Sequence, residues 1–428
     1  SQNYHHLATD LDVTEAKDPK DVYKSHLADT GLRKTDGAVV TSAQQSQAAT
    51  YVNGFVNIGF CSDNLVTKVE KNGTCEWIYN NKPAGVLSAT ASLGMVHQWD
   101  VDGGMGALDK WCSATDNVHI MAGAALGIGI CNAGFFSVEN DVAFGTLSDF
   151  LEPDENTIKA ETDRRLLRIS TITALGLAYA ATSNEEAVES LAEIIENDEE
   201  HIDVVAAAAL SVGLICVGTG NECDVFDAML QRLMTASDEE RATQSAKYLT
   251  LGVGLIFLGC GEDVSVCKAI MASIEHPISK YGLFTLDTCA YCGTGDVLRV
   301  QHLLHECSEH LEGADADFQT VAVLGISLIT LGEVVGMQMA HRTMQHMLQY
   351  GELPIKRTVP LSLAMLHLSD PDYSVVDTLS RLSHDPDSTV AANAILAMGL
   401  VGCGTNNSRV AGLLKQLSVF YKTDGNNL

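Results

Sequence analysis

Residues 204–234, VVAAAALSVGLICVGTGNECDVFDAMLQRLM, set a pattern that the rest of the chain repeats. In the first half, Ala, Gly, Ser and Cys alternate with Leu, Val and Ile, and no charge falls between Val205 and Thr219. Such a run predicts a buried helix. Glycine inside a helix costs about 1 kcal/mol relative to alanine, so Gly213 implies that another backbone approaches closely there. Gly218 and Gly220 end the helix, and Asp224 stands where it could cap the next one. That second helix is amphipathic, with Val225, Phe226, Met229, Leu230 and Leu233 on one face and Asp227, Gln231 and Arg232 on the other.

The same turn recurs as Gly259-Cys260-Gly261, Gly293-Thr294-Gly295 and Gly402-Cys403-Gly404, followed by Asp263, Asp296 and Asn407 as candidate caps. Small residues five positions before each turn or its equivalent run Gly54, Gly94, Gly129, Gly176, Gly213, Gly254, Thr288, Ser327, Ala364 and Ala397. Their mean spacing is about 38 residues, in the range of helical-pair repeats. The pattern predicts an all-α solenoid over residues 44–428, about ten repeats, each burying its apolar face against its neighbours. Residues 1–43 read as a linker or the end of a preceding helical region. Residues 68–82 read as a polar excursion with an anchored aromatic, and Trp99-Asp100-Val101-Asp102-Gly103-Gly104 replaces the glycine turn with an acidic corner.

Composition narrows the function. A net charge of −29 argues against a nucleic-acid surface, which needs clustered Lys and Arg, and favours partners with basic faces. No apolar run reaches the roughly 18 residues of a membrane span. Cysteines inside apolar stretches, Cys131, Cys216, Cys267 and Cys289, suggest reduced thiols of the cytosol or nucleus. The chain begins without Met, which suggests a fragment. The acidic stretch 184–200 reads as an outer helix and loop.

Catalytic and metal signatures are weak. Cys289 and Cys292 have zinc-ligand spacing without a second pair. His302, His305, Cys307 and His310 read as a solvated helix end. Gly127 and Gly129 resemble the start of a dinucleotide fingerprint but fall inside a helix, where they are repeat glycines. Neither an enzyme activity nor a cofactor is expected.

The Leu-Gly-x-Gly-Leu-Ile-x-x-Gly run at 251–259 resembles the proteasome/cyclosome repeat. Residues 99–104 (WDVDGG), 289–300 (CAYCGTGDVLRV), 301–305 (QHLLH), 383–387 (SHDPD) and 397–407 (AMGLVGCGTNN) resemble, more narrowly, the large non-ATPase scaffold subunits of the 26S proteasome base. The resemblance implies helical hairpins curved into a toroid beside the proteasomal ATPase subunits. It also implies receptor sites for ubiquitin, for ubiquitin-like domains of shuttle factors and for a proteasome-associated deubiquitinase. Carried over by position, the ubiquitin and shuttle site falls on Glu199, Asp224, Asp227 and Gln231, and the deubiquitinase site on Asp100 and Asp102. Gln231 and Thr235 stand where further carboxylates are expected, and Met105 and Gly106 replace polar neighbours of Asp102. Family members often carry a long acidic insertion where this chain has residues 307–318, and the array ends about one repeat before closure. The alternative is a repeat scaffold of another large complex, such as the anaphase-promoting complex.

Overall fold

The computed structural model describes residues 2–11, 13–19, 22, 42–68, 75–114, 117–135, 141–153, 158–311 and 313–424. Among them there are helices and turns but no strand. Most of the expected linker before residue 44 and part of the polar excursion lie outside the described residues. The chain divides into two compact units, Ser1–Leu191 and Ala192–Leu428.

The first unit contains α1 (Gln2–Asp10), α2 (Ser42–Val56), α3 (Glu76–Tyr79), α4 (Pro83–Val96), α5 (Val101–Cys112), α6 (Val118–Asn132), α7 (Val142–Ser148) and α8 (Glu161–Ala178). Helices α2, α4, α6 and α8 stack in succession, and α5 and α7 lie against the stack. Small residues let the stacked backbones meet: a Cβ on Gly94 of α4 would lie 2.1 Å from the Gly127 carbonyl oxygen of α6. In the polar excursion the Trp77 indole nitrogen donates to the Thr50 hydroxyl at 3.0 Å, which is the expected anchor.

Helix α9 (Glu185–Glu196) carries the boundary between the units. It buries Ala187, Leu191 and Ile195 and exposes Glu185, Glu186, Glu189, Glu193 and Glu196. The expected acidic helix is present, and it is amphipathic.

The second unit continues with α10 (Ile202–Ile215), α11 (Val225–Thr235), α12 (Asp238–Arg241), α13 (Gln244–Ile256), α14 (Ser265–Ala272), α15 (Pro277–Ala290) and α16 (Val297–Glu306). After these come α17 (Asp317–Thr330), α18 (Val334–Tyr350), α19 (Leu353–Leu366), α20 (Tyr373–Leu382), α21 (Ser388–Gly402) and α22 (Ser408–Asp424). The stack here is α10, α13, α15, α17, α19 and α21. Each outer helix, α11, α14, α16, α18 and α20, packs on the stack helix that follows it in sequence. Stack helices are apolar nearly all round because they are covered on several sides. Fully buried side chains such as Ile215, Leu249 and Ile326 contribute roughly 1.5–3 kcal/mol each.

The glycine turns do more than end helices. Gly218 (φ +73°), Gly259 (+76°) and Gly293 (+72°) all have left-handed backbone. That geometry aims each N–H at the C-terminal end of the next stack helix. Gly218 donates to Leu255 O at 3.1 Å, Gly259 to Cys289 O at 3.0 Å and Gly293 to Leu328 O at 2.9 Å. Each of these carbonyls also accepts from its own turn (Leu258 N, Cys292 N and Leu331 N), so each glycine adds a further donor that ties one repeat to the helix end of the next.

Three local expectations are corrected. Asp224 precedes α11, but its side chain makes no cap hydrogen bond, because the 3-10 turn at Gly220–Glu222 leaves it with helical backbone (φ −68°, ψ −14°). A capping residue needs extended backbone to fold its side chain onto the free N–H groups. Asp263 lies inside a 3-10 turn, Gly261–Val264, and does not cap α14. In the last turn Gly402 belongs to α21, and the left-handed pair is Gly404 (φ +69°) with Asn406 (+50°). Asp296 and Asn407 do cap: the Asp296 carboxylate accepts from Leu298 N at 2.9 Å, and Asn407 Oδ1 from Arg409 N at 2.9 Å.

Candidate functional site

The acidic corner at residues 99–104 is built by a tight turn. Asp100 N donates to His97 O at 3.0 Å, with Trp99 between them in left-handed backbone (φ +74°). Asp100 then caps α5, its Oδ1 accepting from Gly103 N at 3.3 Å. A Cβ on residue 103 would collide with that carboxylate, which explains the glycine. Asp102 occupies the first turn of α5, where a negative charge is favoured by the helix dipole.

Asp102 is exposed and stands at the lip of a groove of about 400 Å3 that also involves Met105, Asn132, Phe135, Val142 and Tyr179. Phe135 and Val142 are 52% and 63% exposed, so the groove offers apolar surface. Asp141 lies in the same wall, and the Tyr179 hydroxyl donates to it at 2.5 Å. Burial and that carboxylate push the Tyr179 phenol up. The arrangement suits an apolar partner surface with a basic rim. Asp100 and Asp102 thus have separate tasks, one capping the helix and one facing the groove.

In the second unit Asp224, Asp227 and Gln231 are all exposed along one face of α11. The opposite face buries Phe226, Met229, Leu230 and Leu233 as expected. Arg232 departs from expectation, being 6% exposed instead of solvent-facing. Its guanidinium lies 3.4 Å from both the Glu240 carboxylate and the Glu200 carbonyl oxygen. That second bond ties the loop bearing Glu199 to the C-terminal part of α11. Asp224 lies eight residues from Arg232, roughly 12 Å along the axis at 1.5 Å per residue. The loop of Glu199 is therefore anchored at the end of α11 remote from Asp224.

Several of the metal candidates read from sequence make other contacts. His302 stacks on Phe284 with ring centroids 5.6 Å apart, and His310 Nδ1 lies 2.8 Å from the Glu352 carboxylate. Cys292 Sγ donates to Leu328 O at 3.6 Å, and burial pushes the Cys289 thiol up to about 12. Gly129 sits where a Cβ would lie 2.4 Å from Ala174 Cα, so it is a packing glycine. Sequence reading missed a different set: Cys61, His97 and Asp100 place one donor atom each within 4.8 Å of one another. They are separated by up to 39 positions, and the one local signal was a Cys in the second left-handed position of a repeat turn.

A proteasome/cyclosome repeat model matches residues 207–242 and 393–424, and a model of the RPN1 N-terminal domain matches residues 1–28. The first match spans the end of α10, α11 and α12. Over 427 residues the chain is 44% identical to the 26S proteasome non-ATPase regulatory subunit 2 homolog A of Arabidopsis thaliana, covering 99% of this chain and 46% of that protein. It is 39% identical over 437 residues to the 26S proteasome regulatory subunit rpn-1 of Neurospora crassa, covering 100% and 47%. With the 26S proteasome non-ATPase regulatory subunit 2 of Dictyostelium discoideum it shares 38% identity over 430 residues, covering 99% and 45%. The chain spans about half the length of these curated relatives. These relatives match the chain along 99–100% of its length and the two models match parts of it, so the helical-hairpin stacks with their repeat turns are similar throughout to Rpn1-type 26S proteasome regulatory subunits.

Proposed function

We propose that the chain is part of a non-catalytic scaffold and receptor of the 26S proteasome regulatory particle, working in the cytoplasm and nucleus. In this reading the repeats of residues 44–428 contribute to a toroid beside the ATPase subunits. Their outer surface holds ubiquitin, shuttle-factor ubiquitin-like domains and a deubiquitinase close to the unfolding machinery. Tethering raises the effective concentration of each ligand without chemistry.

The observation that carries the receptor reading is Asp102 at the lip of the apolar groove beside Phe135 and Val142. Charge speeds encounter with a basic-rimmed partner, and the apolar residues supply affinity once it docks. On α11, Asp224, Asp227 and Gln231 form a second, weaker acidic strip for ubiquitin or shuttle-factor domains, with Glu199 contributing from its separately anchored loop.

The test is an NMR titration of isotope-labelled ubiquitin, a shuttle-factor ubiquitin-like domain and the deubiquitinase ubiquitin-like domain with the chain. Asp102→Arg is expected to weaken the deubiquitinase domain by at least about tenfold. Glu199→Arg with Asp224→Arg is expected to do the same for ubiquitin while leaving the first interaction alone. Absence of shifts with a folded chain would sink the receptor reading. Co-purification with proteasomal ATPases tests the scaffold separately.

A further inference from the structure

We infer that Cys61, His97 and Asp100 form a binding site for a single borderline divalent cation of the zinc class. All three lie in the first unit, on two neighbouring repeat turns. Cys61 comes from the turn after α2, and His97 and Asp100 flank the Trp99 turn between α4 and α5. A thiolate, an imidazole and a carboxylate are the donor types that Zn2+ takes together, and three protein ligands leave one position for water.

Backbone geometry points the same way. The turn holding Cys61 corresponds to Gly218-Thr219-Gly220, Gly259-Cys260-Gly261 and Gly293-Thr294-Gly295, whose second left-handed position is glycine. Here that position is Cys61 at φ +62°, and the facing turn puts Trp99 at φ +74°. Left-handed backbone disfavours any residue with a Cβ; Ala181, Ser183, Ser369 and Asn406 adopt it at other turns, so what sets this pair of turns apart is the donor set that it brings together. The strained segments are also cross-linked, because Gly59 N donates to Met95 O at 3.0 Å and Cys61 N to Val96 O at 2.9 Å.

Of the three side chains, Cys61 Sγ donates to Gly59 O at 3.8 Å and Asp100 Oδ1 accepts from Gly103 N at 3.3 Å, so the unsatisfied one is His97. His97 Nδ1 is buried without a hydrogen-bond partner, a state that costs the desolvation of the nitrogen with nothing in return. Behind the turn, Cys131 Sγ donates to His97 O at 3.4 Å and fixes the carbonyl between the prospective ligands. Cys61 and His97 also line a shared cavity of about 370 Å3, which gives an ion and its water a path in. A tetrahedral Zn2+ with bonds of 2.0–2.3 Å sets its ligand atoms about 3.5 Å apart. Donor atoms that lie within 4.8 Å of one another stand close to that spacing. Binding releases the Cys61 proton to water, so sulfur coordinates as thiolate, while His97 coordinates neutral and Asp100 ionised. The ion would fasten two repeat turns together at the foot of α5, the helix that carries Asp102.

The test uses the full chain, reduced and stripped of metal with a chelator, and titrated with Co2+ and then Zn2+. One equivalent of Co2+ is expected to give a near-ultraviolet thiolate-to-cobalt charge-transfer band with tetrahedral visible bands, both bleached by Zn2+. Cys61→Gly, which suits the left-handed backbone, is expected to abolish the charge-transfer band with circular dichroism unchanged. Asp100→Asn keeps a capping side chain and is expected to weaken binding by about 10–100-fold. Cys403→Ser, at an exposed cysteine in the second unit, should change nothing. A charge-transfer band that survives Cys61→Gly, or the absence of saturable one-to-one binding, overturns the site.

Discussion

Gly213 of α10 and Gly252 of α13 meet backbone to backbone: a Cβ on Gly213 would lie 2.6 Å from the Gly252 carbonyl oxygen. The approach is reciprocal along the same contact, since a Cβ on Gly252 would lie 2.4 Å from Ala209 O. Inside a helix, Gly to Ala normally stabilises by up to about 1 kcal/mol. Here the added methyl must push two stack helices apart, so Gly213→Ala is expected to destabilise by about 1–3 kcal/mol. Gly399 of α21 supplies the contrast, because a Cβ there meets nothing within 4 Å. Gly399→Ala should raise stability by about 0.5–1 kcal/mol. Urea midpoints of the two variants having the same sign would contradict this account of the stack.

Much of this stack was legible in sequence for a physical reason. A residue type that helices disfavour, recurring at one position of a repeat, reports a constraint stronger than propensity, and backbone contact is such a constraint. The glycine pairs were legible as helix ends. Their hydrogen bonds to the next repeat were not, because the acceptors at Leu255, Cys289 and Leu328 lie a whole repeat away and a carbonyl has no sequence signature. Arg232 was misplaced for a related reason. Helical periodicity put it on the polar face of α11, but periodicity cannot register that Glu240 and the Glu200 carbonyl stand ready to receive a buried guanidinium. The proposed site divides similarly. Asp102 is singled out by the family-like corner WDVDGG, whereas the groove beside it needs Phe135, Val142 and Tyr179 from three other segments.

That groove depends on the Tyr179 hydroxyl bonded to Asp141. Tyr179 is 3% exposed, and Asp141 also caps α7 by accepting from Phe144 N at 2.9 Å. Tyr179→Phe removes one bond to a charged acceptor and is expected to cost about 1.5–3 kcal/mol. Asp141→Ala loses the cap as well, adding about 1 kcal/mol. In a double-mutant cycle the two losses should be less than additive, since both remove the same hydrogen bond. Strict additivity in thermal or urea unfolding would mean that the pair does not interact in solution.

Asp387 links repeats through charge, and the link has a pH signature. Its carboxylate receives Arg357 of α19 at 2.7 and 3.2 Å and caps α21 by accepting from Val390 N at 3.0 Å. The hydrogen bond from Arg357 holds Asp387 below the usual carboxylate range. The Ser374 hydroxyl does the same for Asp372, and the Ser237 backbone N–H for Glu240. A carboxyl lowered in the folded state contributes stability above its unfolded value, near pH 4, and loses it as pH falls through the folded value. Melting temperature should therefore hold between pH 7 and about 5 and drop below about 4. Asp387→Asn keeps a capping oxygen but cannot ionise, so it should melt lower than the parent at pH 7. As acid removes the parent's advantage, the two curves should converge toward pH 3 or below. Arg357 and Asp387 are both partly exposed, so the gap at pH 7 should also shrink in high salt. Curves that stay parallel across the whole acid range would show that the Arg357 bond contributes nothing to holding α19 and α21 together.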